Sequence, residues 1–288
     1  MKAYYLVTTG HLEEGVWFRE DGDFVVGMNF VAVQVSRSKV VVVAYILMSN
    51  HVHFLLYGEY EDVLAFINQY KARYSMYYAR KYGIKDFLRR NKVNIKEIPT
   101  EVEALKRAIA YIQMNPVAAG ICLHSTQYPW GTGNVFFNPA KAGGRRLSEM
   151  SGRARKRTLH SECTDLPGEW LVSDEGYVLP ESYVPVKSVE RMFRAPSNMM
   201  YYLQTSSKAK KKLEQDESTP AFRDQAIIML LPDLCQSLFK KGSFHALNLE
   251  EKVECMRQLI RRFSANVNQI ARVCGMSYAE AARLLDSV

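Results

Sequence analysis

With 288 residues, 48% of them hydrophobic, the chain exceeds one average domain and can bury a substantial core. A formal charge of +8 and a pI near 9.1 favour a polyanionic partner, because Lys and Arg beside phosphates release condensed counterions. The longest apolar run, Val40 to Met48, is far shorter than the roughly 20 residues of a membrane-spanning helix, and no apolar leader with a small-residue cleavage site opens the chain, so no membrane partner and cytoplasmic residence are expected.

In chain order, residues 2–9 (KAYYLVTT) are aromatic and β-branched and run into Gly10, which predicts a first strand and a turn. From Asp21 to about Ser36 the apolar residues recur at helical spacing. Val40 to Met48 reads as a buried strand, Ser49-Asn50 as a turn, and Val52 to Tyr57 as the second arm of a hairpin. Tyr60 to Tyr82 carries an aromatic stripe at helical spacing and stops at Gly83, a residue suited to a left-handed C-cap. Val93 to Ile98 alternates as a fourth strand. Thr100 with Glu103 matches a capping box for a helix running to about Asn115, ended by Pro116. The order strand, helix, strand, strand, helix, strand, helix predicts an α+β domain over residues 1–138, a ferredoxin-like antiparallel sheet with helices on one face.

Beyond it, residues 139–196 read as a basic, irregular linker, richest in charge from Lys141 to Arg157. Residues 197–288 read as a mainly helical region, with helices over Ala221 to Leu238 and Leu249 to Val288. Within it, residues 266–286 have the pattern of a helix-turn-helix: Ile270, Ala271 and Val273 pack the first helix, Gly275 makes the turn, and Ser277 caps the second. The run KAKKK at Lys208 to Lys212 reads as a solvated surface. The five cysteines are scattered, with no Cys-x-x-Cys, which argues against a disulfide framework or thiolate zinc site.

The most informative triplet is His51-Val52-His53. On a strand, residues i and i+2 share a face, so both imidazoles project together from Cα atoms about 7 Å apart and can converge on one cation. By spacing alone, two histidines on a polar sheet face are the simpler explanation of the triplet.

Three ordered blocks change that balance. AYILMSNHVHFLL, AYIQMNPVAAG and YPW resemble the single-tyrosine HUH transposases, in particular the REP-associated tyrosine transposases and their insertion-sequence relatives, over residues 4–131. The resemblance implies that His51 and His53 are metal ligands, that Tyr111 is the nucleophile, and that Asn115 completes the metal site. It also implies Mg²⁺ or Mn²⁺ as cofactor and single-stranded or hairpin DNA as partner. Tyr111 and Asn115 are i and i+4, neighbours on one helix face. Two imidazoles and one amide oxygen leave coordination positions open for phosphate and water. Relatives usually carry proline where this chain has Ser49, which alters the turn rather than a ligand.

Other residues are candidates for DNA contact. Lys71 sits where the family commonly carries a basic residue, and Arg73 lies beside it among Tyr70, Tyr74, Tyr77, Tyr78 and Tyr82, which are rival nucleophiles, stacking groups or core residues. Arg145, Arg146, Arg153, Arg155, Lys156 and Arg157 form a basic arm for duplex phosphates or a mere linker, and Tyr278 and Arg283 would face DNA from the second C-terminal helix. The expected function is a transposase-type DNA strand transferase working through a 5′-phosphotyrosine. The alternatives are a repeat-binding protein without turnover and a rolling-circle initiator or relaxase. A homodimer sharing its active sites is compatible with the sequence.

Overall fold

The computed structural model describes residues 1–10, 16–89, 91–138, 143–206, 224–263 and 265–286, so the Lys208 to Lys212 run lies outside the described residues. β1 (Ala3–Thr9), α1 (Asp21–Arg37), β2 (Val41–Met48), β3 (His51–Gly58), α2 (Tyr60–Tyr82), β4 (Val93–Ile98) and α3 (Val102–Gln113) follow in the expected order. The strands form one antiparallel sheet in the order β2-β3-β1-β4, giving an α+β architecture.

The helices cover both faces of the sheet, where the sequence pattern predicts only one. Phe54 meets Phe66 and Tyr70 of α2 edge-on, each at 5.6 Å, while its neighbour His53 meets Tyr111 of α3 at 5.7 Å. Consecutive strand residues point to opposite faces, so α2 and α3 cover opposite sides. α1 joins α2, since Tyr45, stacked on Phe54, donates its hydroxyl to Met28 of α1. The physical reason lies in the apolar runs: β2 and β3 are buried along nearly their whole length, the pattern of strands covered on both faces.

The exposed edge of β2 is closed by the YPW block. Tyr128 donates its hydroxyl to the Leu47 carbonyl at 2.7 Å, Leu47 N–H donates to the Trp130 carbonyl at 2.9 Å, and Thr132 N–H donates to the Tyr45 carbonyl at 3.0 Å. A Cβ on Gly131 would lie 2.5 Å from the Tyr45 carbonyl oxygen, so only glycine lets the segment come this close. The block thus occupies hydrogen-bonding groups that would otherwise template association.

Two expectations around α3 are corrected. The N-cap is Glu101 rather than Thr100, and no side chain caps it. Glu103 is drawn away to Lys106 at 2.9 Å and to the hydroxyl of Tyr202, so its carboxylate is spent on packing contacts. The helix also stops at Gln113, and Pro116 opens a short helix α4 (Asn115–Ala118) instead of ending α3. Proline has no N–H for the Ile112 carbonyl, and Asn115 Nδ2 supplies the donor at 3.1 Å.

Residues 143–196 of the segment expected as a linker are folded. β5 (Arg145–Arg146) pairs with β6 (Leu171–Val172), α5 (Gly152–Leu159) is capped by Ser151, and Leu147, Leu159, Trp170 and Val178 pack on Ala32 and Val33 of α1. α6 (Val186–Phe193) and α7 (Pro196–Thr205) pack against α3 and enter the main core through Val189, Phe193, Met199 and Leu203. A separate core unites α8 (Asp224–Phe239), α9 (Leu249–Phe263), α10 (Val267–Cys274) and α11 (Tyr278–Asp286). That core docks on the start of α1, where buried Arg262 reaches Asp21 at 3.0 Å and the Arg19 carbonyl at 2.8 Å, and Arg19 reaches Asp233 at 3.0 Å. Among the described residues no helix is long and apolar enough to cross a membrane, and no two cysteines are joined in a disulfide.

The tyrosines of α2 make the fold sensitive to alkali. Tyr77 and Tyr82 each donate to the buried Asp23 carboxylate at 2.7 Å, and Tyr74 and Tyr78 donate to the Trp17 and Val16 carbonyls. Burial pushes the Tyr74 phenol well above its usual range and Tyr78 up to about 12, and burial together with Asp23 raises Tyr77 and Tyr82. A raised phenol pKa favours the protonated form in the fold. Its stabilisation is complete below the unfolded tyrosine pKa of about 10 and is lost as pH rises through the folded values. The unfolding free energy from urea titrations is therefore expected to hold up to pH ~10 and to fall steeply above it, by more than about 1.4 kcal/mol per pH unit if more than one phenol titrates. A value that stays flat to pH ~12 would contradict this.

Candidate active site

His51 and His53 project from the start of β3 onto the face covered by α3. Their rings lie edge-on, 4.8 Å apart, and both are buried, at 6% and 1% exposure. Each ring is held at Nδ1: His51 by Asn50 Oδ1 at 2.7 Å, and His53 by the Thr8 hydroxyl at 2.9 Å. Asn50 belongs to the two-residue turn, whose Ser49 carbonyl is anchored by the N–H groups of Trp17 and Phe18. Ser49 therefore sits in a turn fastened from outside.

Tyr111 lies on α3 over His53, its ring edge-on at 5.7 Å. It is half-buried, and burial raises its phenol above the usual range, so the hydroxyl is protonated at neutral pH. One turn on, Asn115 is buried and donates Nδ2 to the Tyr111 and Ile112 carbonyls at 2.9 and 3.1 Å. Because both partners are acceptors, the amide nitrogen is assigned to them and Oδ1 remains as an acceptor at the helix junction. Among the described residues no cluster of three or more His, Cys, Asp or Glu could hold a metal. A cation beside the two imidazoles would have a sparse donor set that needs oxygen from other groups, substrate or water.

The rival tyrosines fall away on geometry. Tyr70, Tyr74 and Tyr78 are fully buried and, with Tyr77 and Tyr82, belong to α2 on the opposite side of the sheet. Lys71 is also corrected: it is buried, its ammonium is bound to the Asn91 carbonyl, and burial lowers its pKa. Asn91 in turn donates to the Gly10 carbonyl, so Lys71 ties together the ends of β1 and β4 rather than offering a surface cation.

Arg73 donates to Ser161 at 3.2 Å, in a cleft that also contains Lys156. Arg145 and Arg146 are exposed on β5, with Arg145 donating to the Glu149 carbonyl at 2.6 Å. On α5, Arg155 donates to the Met150 carbonyl at 3.2 Å, Lys156 pairs with Glu162, and Arg153 and Arg157 are exposed. In the C-terminal core, Gly275 adopts φ 66 between α10 and α11, Ser277 accepts from Glu280 N–H at 3.2 Å, and Tyr278 and Arg283 are exposed.

The sequence did not reveal Thr8 or Asn94. Thr8 pairs with His53 on one side and Asn94 on the other, so all three side chains share the α3 face, and Lys96 extends that row as an exposed cation. A non-local register brings them together, and no local pattern encodes it.

No family model matches the chain, and no curated protein matches it. Among solved structures the chain is similar to a REP-associated tyrosine transposase bound to a REP hairpin, with 14% identity and a TM-score of 0.37, over 45% of this chain and 76% of that one.

Proposed function

We propose that the chain is a metal-dependent DNA strand transferase of the single-tyrosine HUH kind, which cuts and rejoins single-stranded DNA beside hairpins on a ferredoxin-like sheet. The observation that carries this reading is the line of rings from His51 through His53 to Tyr111 on one sheet face, with Asn115 one turn further along. Asn50 Oδ1 is an acceptor, which places the His51 proton on Nδ1 and the lone pair on Nε2, and Thr8 can accept from His53 Nδ1–H in the same sense. This donor set fits Mg²⁺ or Mn²⁺ completed by oxygen ligands. A divalent cation bound there supplies polarisation of a phosphate oxygen and stabilisation of the departing 3′ oxygen.

Tyr111 Oη attacks phosphorus. The Oη–P bond forms as the P–O3′ bond breaks, the phenol proton passes to solvent or a base, and the 3′ oxygen leaves with its electron pair and takes up a proton. The products are a 5′-phosphotyrosine and a free 3′ hydroxyl. The ester conserves the phosphodiester energy, so the reverse attack rejoins the strand without a nucleotide cofactor. Arg145, Arg146, Arg155 and Arg157 on one side, and Tyr278 and Arg283 of the paired C-terminal helices on another, offer contacts to duplex segments.

A labelled hairpin with a single-stranded flank, incubated with protein and Mg²⁺ or Mn²⁺, is expected to yield a denaturation-resistant protein–DNA adduct. Binding without any adduct would favour a repeat-binding protein lacking turnover. Thr8→Val, which keeps the shape and removes the hydroxyl, is expected to lower Mn²⁺ affinity and cleavage by roughly 10–100-fold through loss of His53 orientation. Unchanged values would show that Thr8 does not position His53.

A further inference from the structure

Three clefts join end to end, the first two on the α1/α2 side of the sheet and the third where the start of α1, the 121–130 segment and α9 meet. One of about 760 Å³ lies between α2 and the 152–163 segment, with Arg73, Arg80 and Lys156 on its walls. The next, of about 750 Å³, shares Tyr77, Lys81 and His160 with it and runs on to Trp130 and Tyr177. The third, of about 610 Å³, shares Asp21, Pro129 and Trp130 with the second and ends at Arg261.

The charge along this groove is uneven in a specific way. Arg80 and Arg261 are exposed and make no ion pair among the described residues, and Arg73 has only the Ser161 hydroxyl as a partner. Lys156 and Glu162 form an exposed pair, which is worth little and yields readily to a phosphate. Lys81 is already neutralised by Glu20 and Asp23, and Asp21 by Arg262, which leaves the exposed Glu175 as an opposing charge in the middle. Cations therefore stand at both ends, and aromatic rings line the stretch between. Trp130 is stacked on Phe24 at 4.9 Å and meets Tyr177 edge-on at 6.1 Å, and Tyr77 meets His160 edge-on at 5.9 Å. Cationic ends for the backbone and aromatic faces between them are the features by which proteins hold unpaired strands.

We infer that this groove is a second DNA-binding tract, which takes a single-stranded segment on the face opposite the cleavage site. Phosphates lie at Arg73 and Arg80 on one end and Arg261 on the other, and bases lie against the Tyr77 to Trp130 stretch. The choice of DNA over RNA rests on the proposed strand-cleaving site, whereas the groove itself does not.

Binding of fluorescein-labelled oligo(dT) by the full chain, followed by anisotropy in EDTA and in a Tyr111→Phe background, separates this tract from the chemistry. Arg73→Gln/Arg80→Gln and, separately, Arg261→Gln are each expected to weaken binding several-fold. Each is also expected to reduce the slope of log K against log salt by about 0.7 for every phosphate that is no longer neutralised, with melting temperatures unchanged. Unchanged affinity and slope in both variants overturns the inference, as does tighter binding of oligo(U) than of oligo(dT). Adduct formation by the wild-type protein is scored apart from these values, so failure of cleavage with the arginine effects intact counts against the proposed function and not against the groove.

Discussion

Tyr111→Phe is expected to abolish the covalent protein–DNA adduct, a loss of roughly 10⁴-fold or more in strand scission, with hairpin binding retained. The substitution removes one oxygen atom and keeps the ring that sits 5.7 Å from His53. Neither the tyrosines of α2 nor Tyr128 is placed to substitute. Those of α2 lie across the sheet, and Tyr128 is buried with its hydroxyl committed to the Leu47 carbonyl at 2.7 Å. Because burial raises the Tyr111 pKa, the wild-type rate is also expected to climb with pH between about 7 and 9, as the phenolate fraction grows tenfold per unit. Residual adduct in Tyr111→Phe would mean that another residue is the nucleophile.

His51→Ala and His53→Ala are each expected to cut metal-dependent cleavage by roughly 10²-fold or more and to weaken Mn²⁺ binding in parallel. In the proposed site each removes one of two imidazole ligands, which would leave one imidazole and one amide, a set too poor to hold the ion. Both side chains are buried, so Ala also leaves a cavity; His51→Gln and His53→Gln, which fill it, keep the readout on the donor rather than the fold. Loss of the Mn²⁺ paramagnetic signal on titration with wild-type protein, and its persistence with the variants, reports binding without reference to activity. Equal Mn²⁺ affinity in all of them would remove the metal from the site.

Much of the sheet was legible in the sequence because its signals are local. The apolar run before Ser49, the aromatic stripe of α2 and the Gly83 cap, with φ 73, each follow from neighbouring residues. The same runs also held the information that helices cover both faces, but an amphipathic helix such as α3 does not say which face it covers. The capping box failed for a related reason. Thr100 and Glu103 satisfy a local pattern, yet Glu103 bonds Tyr202, 99 residues away.

Residues 143–206 were harder to read. Their buried side chains, among them Leu147, Leu159, Trp170 and Val178, are spaced irregularly between charges and become a core only when laid on Ala32 and Val33. Lys71 is the opposite case, a charge that looks solvated on a helix but whose long stem carries the ammonium to a backbone carbonyl in the interior. At the site, the histidines and Tyr111 came from recognisable blocks. Thr8, which orients His53 from 45 positions away, came from strand register alone.

The most direct test of the proposed chemistry is to trap the adduct with hairpin DNA, digest it with nuclease and trypsin, and locate the residual 5′-phosphonucleotide by tandem mass spectrometry. The expected result is a single modified peptide beginning at Ala108, with fragment ions placing the modification on Tyr111 and not on Tyr128. A nucleotide on any other tyrosine, or a DNA cut that leaves no protein-linked end, would contradict it.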